Sequence, residues 1–200
     1  MPLREEIEPL VGTYGWQKTT LMKMRKLDSF VKESLRYHSS AGCPRSEISY
    51  LILVSTTRKV MQPFTFSDGQ TLSRGDTIAS PVGAIHMDDS IYHNPHEFDG
   101  FRFSKLREHE GESAKHHSVN TSTEYLSFGH GEHAWYFEIY HCAYYSPGRF
   151  FAANQIKLML AFLLLRYDFT TEKGVRPANL DFFGRNPPSV SKGLLIRRRA

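Results

Sequence analysis

Residues 147–166, PGRFFAANQIKLMLAFLLLR, constrain the fold more than any other stretch of this chain. Ser146-Pro147 is a good N-cap and first-position pair for a helix. From Leu158 to Leu165 the residues are apolar on almost every side, so the helix has no face to offer to water and should be buried. The same run falls far short of the ~20 residues that a membrane helix requires. With 40% of its 200 residues hydrophobic, the chain can build one core around such a helix. Its formal net charge is +4, with both signs interspersed and no basic stripe, which argues against a nucleic-acid partner. The densest basic cluster, Arg197-Arg198-Arg199, reads as a solvated tail. Two cysteines, Cys43 and Cys142, are too few for a disulfide framework. The opening MPLREEIEPL lacks the apolar core of a signal peptide.

Met24, Leu27, Val31 and Leu35 recur at helical spacing and predict a helix over 20–38, with Thr19 or Thr20 as its N-cap. It ends before the turn formers Ser39-Ser40-Ala41-Gly42-Cys43-Pro44. Residues 51–60 are β-prone, and 64–72 form a hairpin around Asp68-Gly69. A second turn, Ser73-Arg74-Gly75-Asp76, leads into Thr77-Ile78-Ala79-Ser80. From Asp88 to about Tyr125, His, Asn, Pro, Gly, Glu and Ser dominate, which predicts an irregular connector of functional length. The stretch from Asp168 to Ala200 has loop chemistry and closes with a short strand at 193–196. The fold class is mainly α with a small antiparallel β subdomain, and no internal repeat is present.

Just before the apolar helix lies FGHGEHAWYFEIYHCAYYS, a glycine-rich piece separated from Pro147-Gly148-Arg149 by an aromatic segment. Four motifs stand in order along the chain. They are Glu33-Ser34-Leu35-Arg36 on a helix, a sheet carrying Arg58, the run Asn94-Pro95-His96-Glu97-Phe98-Asp99-Gly100-Phe101-Arg102-Phe103, and Phe128-Gly129-His130-Gly131-Glu132-His133. This series resembles the C-terminal part of a cytochrome P450, a haem-thiolate monooxygenase, and its wording is similar to fungal members. The resemblance covers nearly the whole chain, as one partial domain over residues 1–200.

Glu33 and Arg36 are i and i+3 neighbours whose side chains can meet on one helical face. The resemblance implies that they turn inward and are joined by Arg102, forming a structural triad that fixes the connector on the proximal side of a haem. A planar guanidinium suits that place because it can bind a carboxylate and backbone carbonyls together. The resemblance further implies a haem cofactor, with Arg58 and His133 on its propionates and Phe128 beside the porphyrin. Gly129 and Gly131 would permit a tight backbone course around the iron ligand. It also implies an NADPH-dependent cytochrome P450 reductase as electron donor, a small organic substrate and an endoplasmic reticulum membrane. That membrane would be reached only through an anchor lying, with the oxygen-activating helix, before residue 1.

The ligand position is the departure. The family's cysteine thiolate, which favours O–O cleavage on haem iron, belongs three residues after Glu132, directly before Pro-Gly-Arg. Position 135 is Trp, and Pro147-Gly148-Arg149 follows twelve residues later. Three readings of Trp135–Ser146 stand open. A retained intron or gene-model error fits because replacing the segment by one cysteine restores GEHA-C-PGRFF in frame, with boundaries inside a Trp and a Ser codon. Alternatively, Cys142 replaces the lost ligand to the iron. The third is a zinc site of His130, His133, His141 and Cys142, since imidazole and thiolate both bind zinc. A second surplus segment near residues 41–52 lies between Arg36 and Arg58 and supports the first reading. The expected function is that of an oxidoreductase using O2 and reductase electrons to hydroxylate an organic substrate, in a truncated and inactive form. A non-catalytic fragment or relic of the fold that binds no haem is the alternative.

Overall fold

Met24 divides the helix expected over 20–38 into two. In the computed structural model, which describes residues 1–38, 55–131, 148–171, 174–175 and 193–199, helix α2 spans Lys18–Lys23 and α3 spans Arg25–Tyr37. Met24 lies between them at φ −74°, ψ 75°, outside helical geometry. Neither Thr19 nor Thr20 caps a helix. The first amides of α3 are satisfied from elsewhere: Lys26 N and Leu27 N donate to the two carboxylate oxygens of Glu6 at 2.8 and 3.0 Å. A carboxylate at that end also meets the positive pole of the helix.

Glu6 belongs to α1, Pro2–Tyr14, a helix that the apolar spacing of Leu3, Ile7, Leu10 and Val11 allows despite Pro9. Pro2 occupies the start of α1, where its missing N–H costs nothing. Leu3 and Ile7 join Leu21, Met24, Leu27, Ala161 and Leu164 in the main core. A smaller core holds Tyr92, Phe103 and Tyr125.

The long apolar helix is present as α6, Gly148–Arg166, but it is not buried all round. Ala153, Lys157, Ala161 and Leu164 line the covered side, which packs on α1, α2 and α3. Phe151 is 72% exposed and Met159 56%. An all-round apolar helix needs neighbours on both sides, and the described residues supply them on one. By length and composition these 19 residues could also cross a membrane, which the eight-residue run alone did not suggest. The covered side carries the charged Lys157, and Ala161 belongs to the main core. Its C-terminal end is closed by Arg4, whose Nε and Nη2 donate to Leu164 O and Tyr167 O, both at 2.6 Å.

Strand β1, Ser55–Lys59, pairs antiparallel with β4, Thr77–Ser80, while β2, Phe64–Thr65, and β3, Thr71–Leu72, form the hairpin expected around Asp68-Gly69. The small sheet is thus two separate pairs among the described residues. After it come α4, Val82–His86, and then the connector, which contains α5, Arg102–Leu106. Strand β5, Tyr167–Thr171, pairs with β6, Leu194–Arg198. The closing strand therefore runs two residues beyond the expected end and takes in part of the arginine cluster. That cluster is exposed but not a free tail: Arg197 reaches Asp168 at 3.3 Å and Arg199 reaches Glu8 at 3.1 Å. The surplus segments near 41–52 and 135–146 lie outside the described residues.

Candidate functional site

Helix α3 buries four charged side chains beside its apolar ones, Asp28, Lys32, Glu33 and Arg36. Glu33 and Arg36 are both 0% exposed. Arg36 meets Glu33 through two parallel bonds, Nε to Oε2 at 2.8 Å and Nη2 to Oε1 at 2.7 Å. Arg102, at the start of α5, adds Nε to Oε1 at 3.3 Å, and the backbone N–H of Asp99 donates to the same oxygen at 3.2 Å. The structure thus brings Glu33, Arg36 and Arg102 together.

Two guanidinium charges against one carboxylate leave a positive surplus, and backbone carbonyls absorb it. Arg36 donates to His86 O at 2.5 Å and Pro95 O at 2.9 Å. Arg102 donates to His93 O, and to Asn94 O and Glu97 O, both at 3.1 Å. Asn94 stands at φ 47°, a conformation asparagine tolerates, and its carbonyl is thereby turned toward Arg102. The irregular connector between residues 86 and 99 is held by side chains from α3 and α5 rather than by a sheet. A buried ion pair is favourable only when its remaining donors and acceptors are satisfied this fully.

A second buried cluster escaped sequence reasoning. Asp28 of α3 accepts Lys157 Nζ of α6 at 2.9 Å, Arg107 Nη1 at 3.3 Å, Ser118 Oγ at 2.7 Å and Ser118 N at 3.0 Å. Burial alone would raise its carboxyl pKa. The Lys157 charge and the bonds from Lys157 and Ser118 outweigh that and hold it below the ordinary carboxylate range. The signal was present in the sequence, since Lys157 is a charge on the side of α6 where the small residues Ala153 and Ala161 lie. A buried ammonium needs a carboxylate partner.

Lys32, one turn along α3 from Asp28, forms no ion pair among the described residues and has Asp28 only as a neighbouring charge. Its Nζ donates to His117 O at 3.2 Å and sits over the rings of Tyr125 and Phe103, 4.4 and 4.7 Å from their centroids. Burial pushes its pKa down to about 8, with Asp28 opposing and Arg107 assisting the shift. The unfolded chain keeps this proton up to about pH 10.4. Between those values the unfolded state binds more protons, so stability rises with pH; below about 8 the full cost of charging the amine is carried. Lys32→Met is expected to stabilise the chain at pH 7 and to flatten that rise, an effect on the order of 3 kcal/mol. Urea midpoints at pH 7 and 9.5 check it, and parallel pH slopes for the two proteins would refute it.

Of the remaining expected site residues, Arg58 and Phe128 are among those described. Arg58 lies on β1 opposite Ile78 of β4 and is half-buried. Phe128 is 8% exposed and sits in the turn that Gly129 and Gly131 shape at φ 70° and 77°. Such angles favour glycine, as the expected tight course requires. His133, Trp135, His141 and Cys142 lie outside the described residues. Among the described residues no group of three His, Cys, Asp or Glu side chains could hold a metal ion; of the zinc reading's four residues only His130 is described.

The residues fit a haem only in part. A cation on β1 and a glycine-shaped turn suit its carboxylates and face. Where the resemblance puts the iron ligand the sequence has Trp135, whose indole nitrogen carries a proton and offers no ligating lone pair. No chemical step through the iron follows from these residues. The Glu33 cluster and Asp28 tie both flanks of residues 132–147 to α3, one through Arg36 and His86, the other through Lys157 of α6.

Comparison with known proteins gives the same frame. Residues 2–191 match the family model described as cytochrome P450. Cytochrome P450 monooxygenases 71 and 110 of Postia placenta are each 40% identical over 200 residues, all of this chain and 36% of theirs. A cytochrome P450 monooxygenase of Penicillium rubens, prx8, is 40% identical over 205 residues, 99% of this chain and 33% of its own. The chain therefore spans about a third of the length of these curated relatives. Among solved structures, retinoic acid bound cyanobacterial CYP120A1 superposes with a TM-score of 0.66 at 20% identity, over 99% of this chain and 39% of its own. The haem domain of cytochrome P450DA does so with 0.66 at 19%, over 100% and 36%. These likenesses show the fold: mainly helical, with small antiparallel sheets, as in part of a cytochrome P450. With the family model matching nearly its whole length, the chain belongs to the cytochrome P450 family.

Proposed function

We propose that this chain is the haem-proximal portion of a fungal-type cytochrome P450 monooxygenase, and that with Trp135 at the ligand position it does not perform the family's chemistry. The meeting of Glu33, Arg36 and Arg102 carries the first half of this reading. It links the helix motif and the Phe-Arg-Phe run through one buried carboxylate, in the order in which the family uses them. The Trp at position 135 carries the second half.

Haem is the family's cofactor, and when bound with a thiolate ligand it supplies dioxygen activation. In this chain Arg58 and His133 would neutralise its two carboxylates and Phe128 would lie beside the ring. Members of the family draw electrons from a redox partner and act on organic substrates, and fungal members are typically bound to the endoplasmic reticulum. For this chain the electron donor would be an NADPH-dependent reductase and the substrate a small organic molecule. The segments near 41–52 and 135–146 are read as extra to the family domain, the second of them a retained intron. A non-catalytic relic is the other reading that Trp135 favours.

The reduced carbon monoxide spectrum of the purified chain separates these. No thiolate-type band is expected from the chain as it stands. Replacing residues 135–146 by a single cysteine is expected to raise haem retention at least about tenfold. A thiolate band from the unmodified chain, lost on Cys142→Ser, would make Cys142 the ligand and overturn the proposal of incompetence. Transcripts that always encode residues 135–146 would sink the intron reading.

A further inference from the structure

His86 closes α4 and is 0% exposed. Its backbone and its ring address different parts of the molecule. The carbonyl accepts Arg36 Nη1 at 2.5 Å and so belongs to the buried Glu33 cluster. The ring nitrogen Nε2 accepts the backbone N–H of Leu126 at 3.0 Å. Leu126 opens the glycine turn, where Gly129 N donates back to Leu126 O at 2.9 Å. One residue therefore touches both the cluster and the loop that leads into residues 132–147.

The Leu126 contact dictates the protonation state. A ring nitrogen that accepts an N–H needs its lone pair, so the proton must reside on Nδ1. Nδ1 is buried and has no partner among the described residues. An unpaired buried donor is costly, and the opposite tautomer would be worse, because it would set Nε2–H against Leu126 N–H. The ring is held in place by Tyr125, stacked at 5.4 Å and 22°, and by Tyr92, edge-on at 6.4 Å. The charged groups nearby are Arg36 and Lys32 of α3, with Glu33 held on Arg36; Tyr92 and Tyr125 are the titratable groups from the connector. Burial first, then the Arg36 and Lys32 charges, push the imidazole down to about 4.

We propose that His86 is a positioning residue, a neutral imidazole that couples the Glu33–Arg36–Arg102 cluster to the Leu126–Gly131 turn and sets where the following segment begins. The coupling concerns the frame of the site and holds whether or not a haem binds, so its test reads no haem signal.

Nitrogen-15 NMR of the full chain, with amide hydrogen exchange, provides that test. The His86 ring is expected in the Nδ1–H form, without titration between pH 5 and 8, and the Leu126 amide is expected to be protected. Glutamine places a side-chain oxygen where Nε2 stands, whereas asparagine reaches only the Nδ1 position. His86→Gln should hold Leu126 exchange within about threefold of the parent, while His86→Asn and His86→Phe should accelerate it about tenfold or more. The Val31 amide in α3 should not respond. Titration of His86 near its ordinary range, an Nε2–H tautomer, or equal acceleration in all three variants would overturn the proposal. Where a variant does not fold, the tautomer of the unmodified chain decides alone.

Discussion

Glu33→Ala is expected to bring this chain to the edge of unfolding. The substitution leaves Arg36 fully buried with its two carbonyls but no carboxylate, strips Arg102 of its only charged partner in the cluster, and orphans the Asp99 amide. Removing one partner of a buried pair costs about 3–5 kcal/mol, and a domain holds only about 5–15 kcal/mol in all. An exposed i, i+3 pair of the same residues would be worth about 0–1 kcal/mol. Urea denaturation followed by circular dichroism distinguishes these magnitudes. A loss under about 1 kcal/mol would show that the backbone carbonyls, not the carboxylate, hold the two guanidinium groups.

Asp28→Asn carries the next largest effect, again about 3–5 kcal/mol, because Lys157 and Arg107 then share no carboxylate. The parent should show the matching pH signature. A carboxyl held below its ordinary range in the folded state stabilises fully above that range and loses the contribution as pH falls through the folded value. Lys157 and the Ser118 bonds supply this stabilisation against the burial penalty. The acid limb of the stability curve should therefore be shallower in the Asn variant. Identical acid limbs would mean that Asp28 titrates alike in the folded and unfolded chain, so that its buried partners do not favour the charged form.

The sequence announced the parts of this molecule whose cause is local. The Asp68-Gly69 hairpin and the strand after Gly75-Asp76 follow from turn chemistry within a few residues. Glu33, Arg36 and Arg102 were legible because each sits in a motif of fixed order, although only the fold shows Pro95 and His86 offering carbonyls to Arg36. The break at Met24 was not legible, since Glu6, the residue that caps α3, lies on another helix. Asp28 and His86 were missed for the same reason. Lys157 marks an inward charge on α6, but which carboxylate it meets is set 129 positions away, as the Leu126 amide is 40 from His86, and no spacing rule reaches that far. The apolar sides of α6 misled in the opposite direction: periodicity tells how many faces seek cover, not how many the chain itself provides.

That α3 secures both flanks of residues 132–147 has a consequence for how such a chain tolerates change. Sixteen residues join Gly131 to Gly148, where five would remain with residues 135–146 replaced by one. Chain closure depends on the logarithm of tether length, so the longer connection costs only on the order of 1 kcal/mol. Two moored posts would absorb that without shifting. Fold and site are therefore insured separately in this architecture: a lengthened connection between Gly131 and Gly148 leaves the surrounding frame nearly as stable as before.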